Sequence, residues 1–347
     1  MRIGKLNRFV SQSYLNPELR KRALFIKGKS GVGKSEGIYQ ASNYLSTVVD
    51  NWQGVIDLRL SQCDQTDLRG VPSVTEGRTH WNVPDIFPRE GTSGIFFLDE
   101  ITSAPPSMQA VAYQLILDRR VGDYHLPDGW MVVAAGNLQT DRGVTFNMAA
   151  PLLNRMTEIE VETVLDDWEL YAAKAGCRPE VLAFIHNRGD YLHMFDAKTV
   201  GQFPTPRGWM AASRRLAMDF TALSDTPEGV QAMRVEALSG EVGKAAASDF
   251  EAFLRVYGRI PDLDKIEKDP TGTPVPEAIN EQHCLMMGIS VRLSAKNFDA
   301  YHQYLKRLPK EFCTLAVKLA HKRDKSIVAA PSFAQWALEN QDAFRRT

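Results

Sequence analysis

The sequence predicts an α/β fold in its first half, a central parallel five-stranded sheet with helices on both faces, and a chain that is helical from there on. Three observations predict it. Five short apolar runs, at residues 23–26, 55–60, 95–98, 131–135 and 157–161, alternate with helical or polar stretches, as parallel strands joined by helical crossovers do. A glycine-rich loop, Gly28-Lys29-Ser30-Gly31-Val32-Gly33-Lys34-Ser35, stands between the first run and a helical stretch at 36–45. From Asp166 onward the strand signal vanishes and apolar residues recur at helical spacing.

Each element has its own justification. Ala23-Leu24-Phe25-Ile26 is apolar at every position, as a strand covered on both faces must be. Between the second and third runs, residues 71–94 are rich in Pro, Gly and polar side chains yet carry His80, Trp81, Ile86 and Phe87. That stretch is too long for a simple crossover and reads as an insertion, its aromatics either packed back on the sheet or held out for a partner. After Pro105-Pro106, the residues Met108, Val111, Ala112, Leu115 and Ile116 form one apolar helix face, with prolines suited to the first turn. Residues 120–130 carry turn residues at both ends and read as a hairpin leading into the fourth strand.

The helical half has its stripes at Trp168, Tyr171, Ala172 and Ala175; at Val181, Leu182, Phe184 and Ile185; at Trp209, Ala212, Leu216 and Phe220; and at Phe250, Phe253, Leu254 and Tyr257. Residues 268–276, with Asp269-Pro270 and Thr271-Gly272, read as a linker. Two more helices come after it, marked by Tyr301, Tyr304, Leu305 and Leu308 and by Phe312, Leu315, Ala316 and Leu319.

At 347 residues the chain is expected to hold more than one domain. Its 44% hydrophobic and 24% charged residues are ordinary for a soluble globular protein, and a net charge of −1 gives no whole-chain field to attract nucleic acid or an anionic membrane. No apolar run approaches the roughly 18 residues of a spanning helix, and the first residues lack an apolar signal core, so a cytoplasmic location is expected. Cys63, Cys177, Cys284 and Cys313 are far apart without C-x-x-C spacing, which indicates neither a disulfide framework nor a zinc site.

The loop at 28–35 fits G-x-x-x-x-G-K-[ST]. In that pattern the backbone N–H groups of Gly28, Lys29, Ser30, Gly31, Val32 and Gly33 wrap phosphates, Lys34 reaches the β/γ oxygens and the Ser35 hydroxyl ligates Mg²⁺. The helix opening at Ser35-Glu36 aims its positive end at the same phosphates, and Glu36 closes the nucleotide-binding stretch. The second motif, Ile95-Phe96-Phe97-Leu98-Asp99-Glu100, is an apolar strand ending in two carboxylates. Asp99 can hold the metal shell, and Glu100 can orient and deprotonate an attacking water. Asp67-Leu68-Arg69-Gly70 mimics the D-x-x-G of signalling GTPases, but no N-K-x-D guanine reader occurs and the metal-site strand carries its own carboxylate base. ATP is therefore the expected nucleotide.

Further motifs stand in order along the chain: Leu117-Asp118-Arg119-Arg120, Val132-Val133-Ala134-Ala135-Gly136-Asn137, Pro151-Leu152-Leu153-Asn154-Arg155 and Phe203-Pro204-Thr205-Pro206-Arg207. Over roughly the first 220 residues the chain resembles AAA+ ATPases, most closely the MoxR family. The resemblance implies a P-loop AAA+ domain at 1–165, a helical lid at 166–225 and a C-terminal helical region at 226–347. It also implies that Lys34 and Glu100 are catalytic, that Asn137 is the sensor-1 amide on the γ-phosphate or attacking water, and that Arg155 is an arginine finger acting on a neighbouring subunit's nucleotide. Arg207 then takes the place of the sensor-2 arginine of the lid. MoxR relatives often show Leu-Asp-Arg-Phe at the finger, where this chain has Leu153-Asn154-Arg155-Met156; Arg119, Arg120 and Arg142 are the rival fingers.

In functional terms the resemblance implies an ATP- and Mg²⁺-dependent remodelling or chaperone-like motor. It is expected to form a ring, by analogy a hexamer, acting on a protein client with a partner of von Willebrand factor A type. The alternative is a DNA-acting AAA+ ATPase (initiator, loader or translocase), although no DNA-binding module stands after the lid and the cluster Lys318, His321, Lys322, Arg323 and Lys325 reads as a solvated helix face. A nucleotide-gated scaffold with negligible turnover is a third reading, against which the intact Glu100 argues.

Overall fold

Strand-by-strand alternation builds the first of two units, Met1–Val164 and Leu165–Thr347. The computed structural model describes residues 1–138, 146, 148, 150–195 and 201–340. Among the described residues the first unit holds nine strands: β1 (Leu24–Lys27), β2 (Trp52–Arg59), β3 (Val71–Thr75), β4 (Arg78–Asn82), β5 (Ser93–Asp99), β6 (Arg120–Val121), β7 (Tyr124–His125), β8 (Trp130–Gly136) and β9 (Thr157–Glu160). Its helices are α1 (Leu6–Leu15), α2 (Pro17–Lys21), α3 (Lys34–Leu45), α4 (Gln65–Arg69), α5 (Pro106–Asp118) and α6 (Ala150–Leu153).

Five strands pair in parallel in the order β2-β5-β8-β1-β9, and they are the five apolar runs of the sequence. Successive side chains point to opposite faces, so one strand feeds two cores. Leu24, Ile26, Ile95, Phe97, Met131, Val133 and Ala135 join Leu6, Val10, Ile38 and Ala41 of α1 and α3 on one face. On the other, Phe25, Phe96, Leu98, Val132 and Ala134 pack with Met108, Val111, Ala112 and Leu115 of α5. At the edge, Glu158 and Glu160 of β9 are exposed, and Lys27 Nζ bonds Glu158 Oε1 at 2.8 Å; charges of this kind keep an open edge from pairing with another chain.

The hairpin expected at 120–130 is present as β6–β7. The insertion holds a second one: β3 and β4 pair antiparallel across Glu76-Gly77, both at positive φ (53° and 74°), as a two-residue hairpin turn requires. Its aromatics divide between the two expected fates. Phe87 is buried against Phe96 and Tyr124, with ring centroids 5.3 and 4.8 Å away, whereas His80 is exposed on β4. Trp81 lies between, half-buried, with the Arg69 guanidinium 5.9 Å from its ring.

Among the described residues every regular element of the second unit is a helix: α7 (Leu165–Lys174), α8 (Pro179–Asn187), α9 (Pro206–Arg215), α10 (Pro227–Val242), α11 (Lys244–Tyr257), α12 (Leu263–Lys268), α13 (Ile279–Arg292), α14 (Phe298–Leu305), α15 (Lys310–Arg323) and α16 (Phe333–Glu339), besides short 3₁₀ turns. Trp168, Phe184, Trp209 and Phe250 centre one core, and Tyr301, Tyr304, Leu285 and Trp336 another. The first of these cores runs from Trp168 to Phe250, so residue 225 falls inside it.

Two expectations are corrected by the fold. The stripe Trp209, Ala212, Leu216 and Phe220 is not one helix: α9 ends at Arg215, and Asp219 caps a separate 3₁₀ turn at Phe220–Leu223 by accepting the Thr221 N–H. Competition of an Asp side chain for backbone donors explains the break. The stretch 268–276 is not a free linker either. Arg307 bonds the carbonyls of Pro270 and Thr273 at 2.8 and 2.7 Å, and Tyr304 Oη bonds that of Pro274 at 2.6 Å.

One buried ion pair ties α10 to α11. Arg234 Nε and Nη2 bond the two oxygens of Glu251 at 2.6 Å each, with the Glu251 side chain 2% exposed. Removing one partner of such a pair strands the other charge, so Glu251→Ala is expected to lower stability by about 3 kcal/mol. The midpoint of urea denaturation checks it. The double variant Arg234→Met/Glu251→Leu is expected to recover most of the loss.

Candidate functional site

The C-terminal ends of β5, β8 and β1, neighbours in the sheet, deliver the predicted residues to one place. β1 runs into the glycine loop, where Gly31 and Gly33 adopt φ of 74° and 95°, a region that strains any side-chain-bearing residue. Gly33 is also the N-cap of α3 and offers no side-chain cap, which leaves the first N–H groups of α3 to an outside acceptor. Lys29 and Ser30 are exposed on the loop, Val32 is buried beneath it, and Glu36 is exposed on the first turn of α3.

Lys34 is buried, and its ammonium is spoken for on three sides: the carbonyls of Gly28 at 2.8 Å and Lys29 at 3.0 Å, and Asn137 Oδ1 at 2.9 Å. The glycine loop and the end of β8 are thereby joined by a single cation. Asn137 comes directly after β8, and its own N–H is held by Thr102 Oγ1 at 3.0 Å. Gly136 makes that approach possible, since a Cβ there would lie 2.5 Å from Thr102 Cγ2.

The end of β5 supplies the carboxylates. Ser35 Oγ donates to Asp99 Oδ2 at 3.0 Å, and the Glu100 N–H donates to Asp99 Oδ1 at 2.8 Å. Burial pushes the Asp99 carboxyl above the usual carboxylate range, and the Asp57 carboxylate adds to that push. The two hydrogen bonds and the Lys34 ammonium oppose it. Glu100 adopts φ 57° and ψ 30°, a left-handed backbone uncommon for a residue with a side chain, and the Ser61 hydroxyl donates to its Oε2. Tyr39, one helical turn beyond Ser35, donates to Asp57 Oδ2 at 2.8 Å, and burial together with this bond raises its phenol to about 12.

Ser35 and Asp99 are hard oxygen donors side by side, the pair that suits Mg²⁺. No group of three or more His, Cys, Asp or Glu among the described residues could hold a metal alone.

The arginines are placed differently. Arg155 is exposed on the turn after α6, its N–H bonded to the Leu152 carbonyl at 3.0 Å, and no hydrogen bond or ion pair of its guanidinium is found among the described residues. Arg207 is exposed on the first turn of α9, in the second unit. Of the rival fingers, Arg119 spends its guanidinium on the carbonyls of Pro127 (2.9 Å) and Trp130 (2.8 Å), Arg120 is exposed in β6, and Arg142 lies outside the described residues. Sequence reasoning passed over Ser61, Thr102, Asp57 and Tyr39. Only Asp57 left a trace, as a lone carboxylate within an apolar strand run.

No curated protein matches the chain in sequence. Among solved structures, a candidate ATPase from Cytophaga hutchinsonii aligns over 73% of this chain and 90% of its own at 14% identity, with a TM-score of 0.33. NtrX from Brucella abortus in complex with ADP aligns over 97% and 68% at 12% identity and a TM-score of 0.39. Hsp104 with ATPγS and FITC casein, in its closed state, aligns over 62% and 44% at 15% identity and a TM-score of 0.31. Residues 23–156, less than half of the chain, match the sequence model of the AAA domain (dynein-related subfamily). Four of the five sheet strands and the strand–loop–helix order lie within the matched stretch, and β9 comes directly after it.

Proposed function

We propose that the chain is an ATP-hydrolysing AAA+ motor of MoxR type. One observation carries the reading: the start of α3 and the ends of β8 and β5, far apart in sequence, meet through two hydrogen-bonded groups on consecutive residues, Lys34 with Asn137 and Ser35 with Asp99 and Glu100. The uncapped N-terminus of α3 and the loop N–H groups bind the β-phosphate, and Lys34 exchanges its carbonyl partners for phosphate oxygens. Mg²⁺, held by Ser35 and Asp99, would neutralise charge developing between the β- and γ-phosphates. Glu100 takes a proton from the attacking water while Asn137 hydrogen-bonds the water or the γ-phosphate.

The exposed Arg155, whose guanidinium has no partner among the described residues, fits a finger that completes a neighbour's site. The active form is then a ring, by analogy a hexamer, with Arg207 reading the nucleotide from the lid. The client is a protein, approached through the β3–β4 hairpin and assisted by a partner of von Willebrand factor A type, in the cytoplasm. The exposed Val71 and Val74 of that hairpin support this assignment.

The purified protein is expected to release phosphate from ATP in the presence of Mg²⁺, and Lys34→Ala to bind a fluorescent ATP analogue at least about tenfold more weakly, since a charge-assisted contact to phosphate is worth about 1.5–3 kcal/mol. Absence of Mg²⁺-dependent hydrolysis at every protein concentration, or wild-type binding by Lys34→Ala, sinks the reading. Stimulation by DNA with a steep salt dependence points instead to a DNA-acting motor.

A further inference from the structure

A second carboxylate stands behind the Ser35–Asp99 pair, and the nucleotide motifs do not use it. In the β2–β5 register Arg59 faces Asp99 and Asp57 faces Phe97, so Asp57 and Asp99 lie on the same face of adjacent strands, offset by two residues. Diagonal neighbours of this kind sit roughly 7–8 Å apart at Cα, within reach of one bridging water between side chains. The face is the one covered by α3, since Val55 and Phe97 on it pack with Ile38 and Ala41. Ser35 and Tyr39 are one turn apart on α3 and therefore project side by side. Ser35 meets Asp99 at 3.0 Å and Tyr39 meets Asp57 at 2.8 Å, which makes two donor–carboxylate pairs stacked along one groove.

Asp57 is incompletely satisfied. Oδ2 accepts the Tyr39 phenol, whereas Oδ1 is shielded from solvent and has no hydrogen-bond partner among the described residues. A half-buried carboxylate with one lone oxygen, set beside another carboxylate, is costly unless something positive comes close. Arg59, further along β2, is exposed and makes no hydrogen bond to either carboxylate among the described residues. Tyr39 fixes the rotamer and directs the other oxygen, an arrangement typical of groups that orient a ligand set rather than join it.

We propose that Asp57, held by Tyr39, is a positioning residue for the divalent cation, accepting a hydrogen bond from a water of the Mg²⁺ shell held by Ser35 and Asp99. The inference rests on the ATPase reading and adds to it a residue outside both nucleotide motifs. Asp57 contributes negative charge and one fixed acceptor without touching the ion, and Tyr39 contributes the aim.

The test is the Mg²⁺ dependence of nucleotide binding, read by fluorescence of N-methylanthraniloyl-ADP with and without EDTA. In Asp57→Asn the concentration of Mg²⁺ that half-saturates the tightening is expected to rise at least about tenfold, the usual cost of losing an outer-shell partner, while affinity in EDTA stays at the wild-type value. Tyr39→Phe, which keeps ring packing and removes only the hydroxyl, is expected to shift the midpoint the same way by a smaller factor. It keeps the proposal testable should Asp57→Asn fold poorly. A wild-type Mg²⁺ midpoint in either folded variant overturns the role of Asp57, and so does an equal loss of affinity in EDTA, which marks a merely structural residue. If the wild-type protein itself binds no nucleotide, the ATPase reading fails and takes this proposal with it; wild-type tightening that both variants retain removes the proposal alone.

Discussion

Glu100→Gln is expected to lower kcat for ATP about 10²- to 10⁴-fold, the range that a positioned general base contributes, and to leave ATP affinity within about twofold. The substitution keeps shape and keeps an oxygen able to accept from Ser61, so the left-handed backbone at residue 100 is not asked to change. What it removes is the ability to take a proton. Asp99, Ser35 and Lys34 are untouched, and with them the contacts assigned to metal and phosphate. Steady-state phosphate release together with equilibrium binding of a fluorescent ATP analogue measures both halves. Unchanged turnover removes Glu100 as the base, and lost binding removes the separation of roles. The same variant is the natural bait for a client, since an ATP-loaded state that cannot advance holds its substrate longest.

Arg155→Ala is expected to cost about 10³- to 10⁵-fold in kcat, the contribution typical of an arginine finger, again with nucleotide binding retained. The size of the effect stems from where the charge is used: a guanidinium beside the γ-phosphate meets charge that grows in the transition state. Arg155 is exposed and held only through its backbone turn, so its removal leaves the core intact. Mixing decides whether it acts on a neighbour. Rings combining Arg155→Ala with Lys34→Ala subunits contain intact sites completed by intact fingers, and hydrolysis in the mixture should exceed that of either variant alone. Strict additivity of two inactive proteins counts against a shared site.

The sheet was legible in the chain because its strands are buried on both faces and read as apolar runs, from Ala23 to Ile26 and again from Ile95 to Leu98. The glycine loop and the Asp99-Glu100 pair were legible because each function demands fixed residue types at fixed spacing. Ser61, Thr102 and Tyr39 were not. A hydroxyl is common on any polar surface, and only the pairing of β2 with β5 and the close approach at Gly136 bring these three to the carboxylates and to Asn137. The β3–β4 hairpin escaped notice because its strands are short, mostly exposed and interrupted by Pro72, so no alternation marks them. In the helical half, the stripe through Leu216 and Phe220 kept helical spacing across a break made by one Asp side chain, and periodicity cannot see a cap that lies between two matching positions.

The order β2-β5-β8-β1-β9 carries a further consequence, for folding. Lys34, Asp99 and Asn137 belong to segments that neighbour one another in the sheet but lie dozens of residues apart in the chain, so no local fragment can assemble the site. Parallel pairing over such separations is slow to form, because loop closure must be met before any contact rewards it. The ligand-competent state therefore requires β5, β8 and β1 to be paired with one another. A nucleotide that binds it draws on global rather than local unfolding, and at a hundred times its Kd adds about 2.7 kcal/mol to the stability of the whole first unit. Under the proposed ATPase function, nucleotide occupancy is thus a folding term for this chain as well as a catalytic one.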